Sequence, residues 1–162
     1  KKSFSKNKMK TEIERKFIVL NNSYKDSGNH EYCIQGYIPS INEPLIRIRT
    51  MGEKSFITVK SNINGITRLE YEYEIPNNDA EDLLNLFCKE SIIEKNRYKI
   101  HYKSTLWEVD EFLGNNKGLV VAEVELTSED QPYDKPDWVG DEVSTDKKYY
   151  NYNLSSHPYS KW

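Results

Sequence analysis

The sequence predicts a mainly β fold in which roughly eight strands form a sandwich or a closed barrel. Apolar and polar residues alternate with a period of two in segment after segment, which is typical of strands with one buried face. Gly, Asn and Pro residues separate these segments at short intervals and predict turns. Helical periodicity is scarce, so few helices are available to cover the sheet.

The alternating segments define the expected strands in order. They lie at Thr11–Val19, 32–38, 45–50, 55–60, 66–75, 91–102, Thr105–Phe112 and 119–126. Turns are expected at 51–53, 62–65 and 114–118, where Gly and Asn residues cluster.

Two helices are predicted. The first is capped by Asn78 or Asp79 and runs to about Cys88. Its apolar stripe is expected to comprise Leu83, Leu84, Leu86 and Phe87. The second is a short helix within 144–154.

Length and composition limit the class of protein. The 162 residues suit one domain, which we expect at 9–162, with a disordered or non-native lead-in at 1–8. The 23 Lys and Arg residues are balanced by 26 Asp and Glu residues, which argues against a polybasic nucleic-acid binder. Cys33 and Cys88 form no metal-binding or disulfide motif, and no apolar run has the length of a membrane span. A cytoplasmic location is therefore expected.

Charged residues recur on one face of nearly every predicted strand, because side chains alternate between the two faces. The charged faces carry Glu12, Glu14 and Lys16; Arg47 and Arg49; Lys60; Arg68, Glu70, Glu72 and Glu74; Lys95, Arg97 and Lys99; Glu108 and Asp110; and Glu123 and Glu125. A solvated outer face would explain this pattern. Like charges along one strand are unusual for a plain surface, however, so a barrel with the charged face inward is the alternative.

A charged lumen would have a definite chemistry. Rows of Arg and Lys bind phosphate oxygens, and carboxylate clusters bind hard divalent cations such as Mg²⁺. Phosphoryl transfer requires mainly positioning and charge neutralisation, so a compact polyphosphate is the ligand that this inventory favours.

The sequence also resembles a known family. EIERKF at 12–17 is similar to the ExExK signature of the CYTH superfamily, the triphosphate tunnel metalloenzymes. The family's order is then followed by QGYI (35–38), RIR (47–49), TVK (58–60), RLEYE (68–72), KNRYKI (95–100), WEVDEF (107–112) and GLVVAEVEL (118–126). WVGDEVSTDKKYYNYNL at 138–154 resembles the C-terminal plug segment of short bacterial members. The resemblance covers about residues 9–155.

This resemblance implies an eight-stranded antiparallel β tunnel with a charged lumen, a few flanking helices and a C-terminal plug helix. It implies divalent-metal-dependent hydrolysis of a triphosphate, foremost inorganic tripolyphosphate to pyrophosphate and phosphate, with Mg²⁺ or Mn²⁺. A class IV-type adenylate cyclase and a non-catalytic polyphosphate- or nucleotide-binding module are the alternatives. The expected partner is a small-molecule triphosphate, with no nucleic acid and no membrane, and a homodimer is left open.

Site residues follow from the matching motifs. The expected metal ligands are Glu12, Glu14, Glu70, Glu123 and Glu125. The expected substrate ligands are Lys16, Arg47, Arg49, Lys60, Arg68, Lys95, Arg97 and Lys147, with Lys148 as the alternative to Lys147. The expected catalytic residues are Lys16, Tyr37, Glu72 and Asp110.

Several of these roles have alternatives. Glu70, Glu72 and Asp110 would hold a second metal or orient the attacking water. Tyr37 would act as a base through a cation-stabilised phenolate, orient water, or only pack in the tunnel wall. Glu74 and Glu108 are expected at the tunnel mouth or in salt bridges.

Overall fold

The computed structural model describes residues 10–61 and 65–162. Its elements are β1 (Thr11–Val19), β2 (His30–Ile38), β3 (Leu45–Met51), β4 (Lys54–Lys60), β5 (Thr67–Ile75), α1 (Asn77–Phe87), β6 (Ile93–Tyr102), β7 (Thr105–Phe112), β8 (Val120–Leu126), β9 (Val139–Glu142) and α2 (Asn151–Ser156). The predicted lead-in at 1–8 lies outside the described residues, as does the predicted turn at 62–65 apart from Gly65.

Strands β1 to β8 form a closed antiparallel barrel. Neighbouring strands follow the order β5-β4-β3-β2-β6-β7-β8-β1, and a pairing of β1 with β5 closes the circle. The mainly β, eight-stranded fold that the sequence predicts is therefore confirmed, and the sandwich is excluded. Closure also removes exposed sheet edges, which a long open sheet would leave unpaired.

The short strand β9 is an addition that alternation does not predict. β1 pairs with β5 through residues 11–13, and further along it pairs with β9 at Phe17 and Val19. β9 has four residues and contains Gly140, so it is too short to show a period of two.

The apolar outer face of the barrel is covered by two layers. Helix α1 lies over β2, β3 and β4, where Ile48 is fully buried beneath Ala80 and Leu84. The outer faces of β1, β6, β7 and β8 form a second core around Trp107, which Tyr24 and Trp138 cover from outside the barrel. The charged face consequently points into the lumen.

Helix α1 differs in detail from its prediction. It begins at Asn77 after Pro76, without a capping bond from Asn78 or Asp79. The buried row runs through Ala80, Leu84 and Cys88 at a spacing of four residues, which brings them onto one side of the helix.

The predicted burial of Leu86 and Phe87 is wrong. These side chains are 69% and 53% exposed, respectively. Leu86 lies roughly 120° around the helix from Ala80. At the end of the helix the sheet-facing position is filled by Cys88 instead.

The second predicted helix is interrupted. Lys147–Tyr149 form a 3₁₀ turn, Tyr150 is extended, and only Asn151–Ser156 are α-helical. No helix in residues 10–61 and 65–162 has the length and apolar character needed to cross a membrane. Cys33 and Cys88 are both buried and unpaired.

Gly36 allows α1 and the turn after it to approach the barrel wall. A Cβ atom at this position would lie 2.5 Å from the Cβ of Cys88 and 3.1 Å from Cδ1 of Ile92. We expect Gly36→Ala to lower the free energy of unfolding by about 1–3 kcal/mol, because this core cannot absorb another carbon atom. Urea denaturation measures the loss.

The matched variant for Gly36→Ala is Cys88→Gly, which removes the opposing Cβ. The double variant should lose less stability than the two single losses added together. An unchanged urea midpoint for Gly36→Ala would contradict the close approach.

Candidate active site

The barrel encloses a cavity of about 1000 Å³. The predicted site residues that line it are Glu12, Glu14, Lys16, Tyr37, Arg47, Arg49, Lys60, Arg68, Glu70, Glu72, Lys95, Arg97, Glu123, Glu125 and Lys147. Among the predicted site residues, Asp110 alone does not line it. The fold thus gathers these predicted site residues from seven strands and the segment before α2 into one chamber.

Strand register places opposite charges across from one another. Lys16 lies opposite Glu123, with Nζ and Oε1 2.5 Å apart, and Lys60 lies opposite Glu70, with Nζ and Oε2 2.7 Å apart. Burial lowers the pKa of Lys16, but Glu123 and Glu14 raise it by more, so its folded-state pKa is above the usual value. Lys16 is therefore a charged group in a largely enclosed space.

Arg97 is the centre of the densest charge cluster. Its guanidinium contacts Glu108 at 2.6 Å, Asp110 at 2.7 Å and Glu123 at 3.0 Å. Lys95 contacts Asp110 at 2.6 Å. Burial lowers the pKa of Arg97, yet these acids raise it well above its ordinary value. Arg97 is consequently held in one orientation with its charge intact.

Asp110 occupies a place that does not fit its predicted direct role on metal or water. Its side chain is fully buried, and both carboxylate oxygens accept from Arg97 or Lys95. Burial raises the pKa of Asp110, but the charges of Arg97 and Lys95 lower it by more, so the net pKa lies below the usual range. Alternation places Asp110 on the inward face, where the two cations separate it from the cavity.

Arg47 and Arg49 share a carboxylate partner. Their Nη2 atoms lie 3.0 and 3.1 Å from Oε2 of Glu72, which also accepts from the Thr58 hydroxyl at 2.8 Å. The Nε atoms of both arginines are buried and lack a hydrogen-bond partner among the described residues. Each arginine therefore keeps one buried donor that the described residues leave unsatisfied.

Two carboxylates lie directly opposite each other. Glu14 of β1 pairs in register with Glu125 of β8, and neither has an ion pair within the described residues. Burial raises the pKa of Glu14, and the charge of Glu123 raises it further. Burial and Glu108 likewise raise the pKa of Glu125. Like charges in this position are unfavourable unless a cation joins them.

Glu12 and Glu70 form a second acidic pair. Burial and a hydrogen bond to Glu70 raise the pKa of Glu12 to about 8. Burial raises the pKa of Glu70, but the bond to Glu12 and the charge of Lys60 lower it to about 2. At neutral pH this pair of carboxyl groups therefore holds one proton. A metal ion that binds the pair would displace that proton.

The chemistry of these carboxylates suits a hard divalent cation. No three Asp, Glu, His or Cys side chains form a ready-made metal cluster in the described parts of the chain. Glu70 and Glu123 are held by lysines, whereas the opposed Glu14 and Glu125 have no such partner there. All the donors are oxygens, the type that Mg²⁺ and Mn²⁺ prefer.

Tyr37 faces the cavity and is 6% exposed. Burial raises its pKa by more than Arg47, Arg68 and Lys16 lower it. The phenol therefore stays neutral, which argues against the base that a cation-stabilised phenolate would provide. Its ring also packs edge-on against Tyr152 of α2, at 5.2 Å between centroids.

The two adjacent lysines before α2 take opposite directions. Lys147 lines the cavity. The Lys148 ammonium lies 4.6 Å from the Trp162 ring centroid and 5.1 Å from that of Tyr149. Cation–π attraction holds Lys148 in that aromatic cluster, so Lys147 is the lysine available to a ligand.

The remaining charged candidates occupy varied positions. Glu74 pairs with Lys54 at 3.2 Å, and both side chains are exposed. Lys99 and Glu108 line the cavity, and Glu108 is also salt-bridged to Arg97. These positions agree with the expectation of salt bridges for Glu74 and Glu108.

Ser144 and Asn151 contribute to the site without having been singled out from the sequence. The Lys16 N–H donates to the Ser144 hydroxyl at 2.9 Å, and Val143 N–H donates to the Lys16 carbonyl at 2.8 Å. Lys95 donates to the Asn151 side chain at 3.5 Å. Ser144 lies in a turn before Lys147, and Asn151 is the first residue of α2, so no regular period indicates which side chains face the barrel.

This chain is similar to a known domain family and to two named enzymes. The model of the CYTH domain family matches residues 10–157. An inorganic triphosphatase from Acetivibrio thermocellus is 46% identical over 154 residues, covering 95% of this chain and 99% of that protein. An inorganic triphosphatase from Nitrosomonas europaea is 37% identical over 150 residues, covering 90% of this chain and 97% of that protein.

A solved structure supports the same relationship. The crystal structure of an inorganic triphosphatase matches with a TM-score of 0.66 and 34% identity, covering 93% of this chain and 97% of that one. The similarity therefore extends over nearly the whole barrel.

Proposed function

Since this chain belongs to the CYTH domain family, we propose that it hydrolyses inorganic tripolyphosphate to pyrophosphate and phosphate in the barrel lumen. Family membership implies a divalent metal cofactor, and we propose Mg²⁺ or Mn²⁺. The strongest structural support is the convergence of buried cations and carboxylates on one cavity. Both named relatives, at 46% and 37% identity, are inorganic triphosphatases, which supports the same activity here.

The cationic side chains are proposed to bind the phosphate oxygens. This set comprises Lys16, Arg47, Arg49, Lys60, Arg68, Lys95, Arg97 and Lys147. Arg47 and Arg49 support the assignment, because both line the cavity and a guanidinium binds phosphate oxygens through paired hydrogen bonds. Triphosphate would also replace the carboxylates that now pair with Lys16 and Lys60.

The carboxylates Glu12, Glu14, Glu70, Glu123 and Glu125 are proposed to hold the divalent cation. Glu14 and Glu125 are the best supported, because they lie opposite each other in register and neither forms a close ion pair with a described residue. Such a cation, when bound, neutralises phosphate charge and lowers the pKa of a water molecule.

Water is proposed to attack the terminal phosphorus, with pyrophosphate as the leaving group. Lys16 and the arginines neutralise the charge of the transition state, which is the main requirement of phosphoryl transfer. Glu72 is proposed to orient the attacking water, since its carboxylate lines the cavity next to Arg47 and Arg49. Asp110 is proposed to hold Lys95 and Arg97 in place from behind.

Lys147→Ala should raise the KM for tripolyphosphate by about tenfold, because one charge-assisted hydrogen bond to a phosphate oxygen is lost. Lys148→Ala is the matched control, since that lysine lies against Tyr149 and Trp162. Steady-state kinetics of both variants measures the difference. Equal KM values for the two variants would contradict the assignment of Lys147.

Substrate identity is tested by measuring phosphate release from tripolyphosphate, ATP and thiamine triphosphate with Mg²⁺, Mn²⁺ or EDTA. Cyclic AMP is assayed in the ATP samples. We expect the fastest release from tripolyphosphate and none in EDTA. Cyclic AMP formation would instead support a cyclase, and tight triphosphate binding without turnover would support a binding module.

A further inference from the structure

We propose that Gln35 fixes the Tyr37 hydroxyl as a hydrogen-bond donor directed into the cavity. Gln35 would then be a positioning residue for tripolyphosphate hydrolysis, and in this respect the inference rests on the function proposed above. Gln35 lies in the QGYI segment at 35–38 that carries the family resemblance, but neither that resemblance nor the charge pattern assigns it a role.

Gln35 is a wholly buried polar group in the barrel wall. Its relative exposure is 0%, and it lies two residues before Tyr37 on the inward face of β2. Across the sheet it is opposite Arg49. Buried side-chain amides in such places usually have at least one hydrogen-bond partner.

The amide of Gln35 is oriented with its nitrogen towards Tyr37 and its oxygen towards Cys33. Nε2 of Gln35 donates to the Tyr37 phenolic oxygen at 3.2 Å, while Oε1 accepts from the Cys33 thiol at 3.9 Å. The phenolic oxygen is thereby an acceptor towards Gln35, and its own hydrogen must point elsewhere. Within the described residues no oxygen accepts that hydrogen, and Tyr37 lines the cavity.

The rest of Tyr37 is held as firmly as its hydroxyl. The Ser91 hydroxyl accepts from the Tyr37 N–H at 2.8 Å and donates to its carbonyl at 2.9 Å. The phenol ring lies at 87° to the Tyr152 ring. Because backbone and ring are both fixed, the amide of Gln35 decides where the hydroxyl hydrogen points.

A fixed neutral donor suits the proposed chemistry. Tyr37 lies opposite Arg47 in the register of β2 and β3, so its hydroxyl is beside a phosphate-binding cation. Burial keeps the pKa of the phenol above its usual value, and the hydrogen is therefore retained at neutral pH. The hydroxyl would donate to an oxygen of the triphosphate, and Gln35 would act only through it.

A double-mutant cycle tests this arrangement. Gln35→Glu replaces the amide donor by an acceptor, which would turn the phenolic hydrogen away from the cavity. We expect Gln35→Glu and Tyr37→Phe each to lower kcat/KM for tripolyphosphate by roughly tenfold or more. The double variant should be no worse than Tyr37→Phe alone, because both changes remove the same donor.

A thermal melt of each variant shows whether it folds. If the buried carboxylate of Gln35→Glu prevents folding, Gln35→Met provides a second double-mutant cycle. It removes the amide at similar volume, so it should lower kcat/KM in the Tyr37 background and leave the Tyr37→Phe background unchanged. Additive losses in a folded cycle would overturn the positioning role and would indicate a merely structural effect.

The proposed hydrolysis is tested separately within the same experiment. Turnover by the parent protein with additive losses would defeat the Gln35 inference alone. Absence of turnover would defeat the proposed function. Calorimetric affinities for tripolyphosphate in EDTA would then complete the same cycle, and additive affinity losses would overturn the role of Gln35.

Discussion

Glu14→Gln is expected to lower metal-dependent tripolyphosphate hydrolysis by at least about a hundredfold. Loss of a hydrogen-bonding partner of a metal ligand already costs up to this much, so loss of a direct ligand should cost no less. The amide has the same size as the carboxylate, and the barrel should keep its shape. Steady-state rates at saturating Mg²⁺ measure the effect.

The same variant should be no less stable than the parent protein in EDTA. Burial and the charge of Glu123 raise the pKa of Glu14, so its ionised form is unfavourable in the folded barrel and a neutral amide should cost no stability. An inactive variant with equal or higher thermal stability would therefore identify Glu14 as a residue kept for function.

Glu74→Gln is the control for Glu14→Gln, because Glu74 shares its strand face with the tunnel acids but forms an exposed pair with Lys54. Its rate should stay within about twofold of the parent protein, since an exposed pair contributes little. Full activity of Glu14→Gln, or an equal loss in Glu74→Gln, would refute the assignment of the metal site.

Asp110→Ala is expected to lower the free energy of unfolding by about 3–5 kcal/mol. The aspartate is 0% exposed and pairs with Lys95 and Arg97, which are themselves 1% and 6% exposed. Its removal would leave two buried cations short of their counter-ion. Urea denaturation in EDTA measures the loss without a contribution from ligand binding.

Asp110→Asn and Glu74→Ala are the control variants for Asp110→Ala. The asparagine keeps one oxygen acceptor for the cations, so its loss should be smaller than that of the alanine variant. Glu74→Ala breaks a surface pair and should change stability by less than about 1 kcal/mol. An Asp110→Ala variant of unchanged stability but lost activity would return Asp110 to the direct catalytic role that the sequence predicted.

Alternation alone was sufficient to assign most of the barrel wall. On a strand, the period of two fixes which side chains share a face, so the sequence alone places Glu12, Glu14 and Lys16 on one face. It could not say whether that face was inside, because a sheet and a barrel share the same period. Closure by β1 and β5 is a long-range pairing that no local pattern encodes.

The sequence also does not predict how far each inward-facing side chain lies from the cavity. Asp110 and Glu108 alternate in step on β7, yet Asp110 lies behind Lys95 and Arg97 while Glu108 lines the cavity. The difference arises because two long cationic side chains from the neighbouring strand fold over the shorter carboxylate. Such packing depends on side-chain lengths across strands rather than on spacing along one strand.

The segment before α2 shows a third limit. Lys147 and Lys148 are adjacent, and the 3₁₀ turn that carries them is too short to show a period. Their directions are decided by the aromatic rings of Tyr149 and Trp162, which attract Lys148. Trp162 is distant in sequence, so only the folded chain distinguishes the two lysines.

The most direct test of the central claim is ³¹P NMR of tripolyphosphate incubated with the protein and Mg²⁺, beside matched samples containing EDTA or Glu14→Gln. We expect tripolyphosphate to disappear, and pyrophosphate and phosphate to appear in equal amounts, only in the sample with the parent protein and metal. Intact tripolyphosphate in that sample, or equal hydrolysis in EDTA, would contradict a metal-dependent triphosphatase in this barrel.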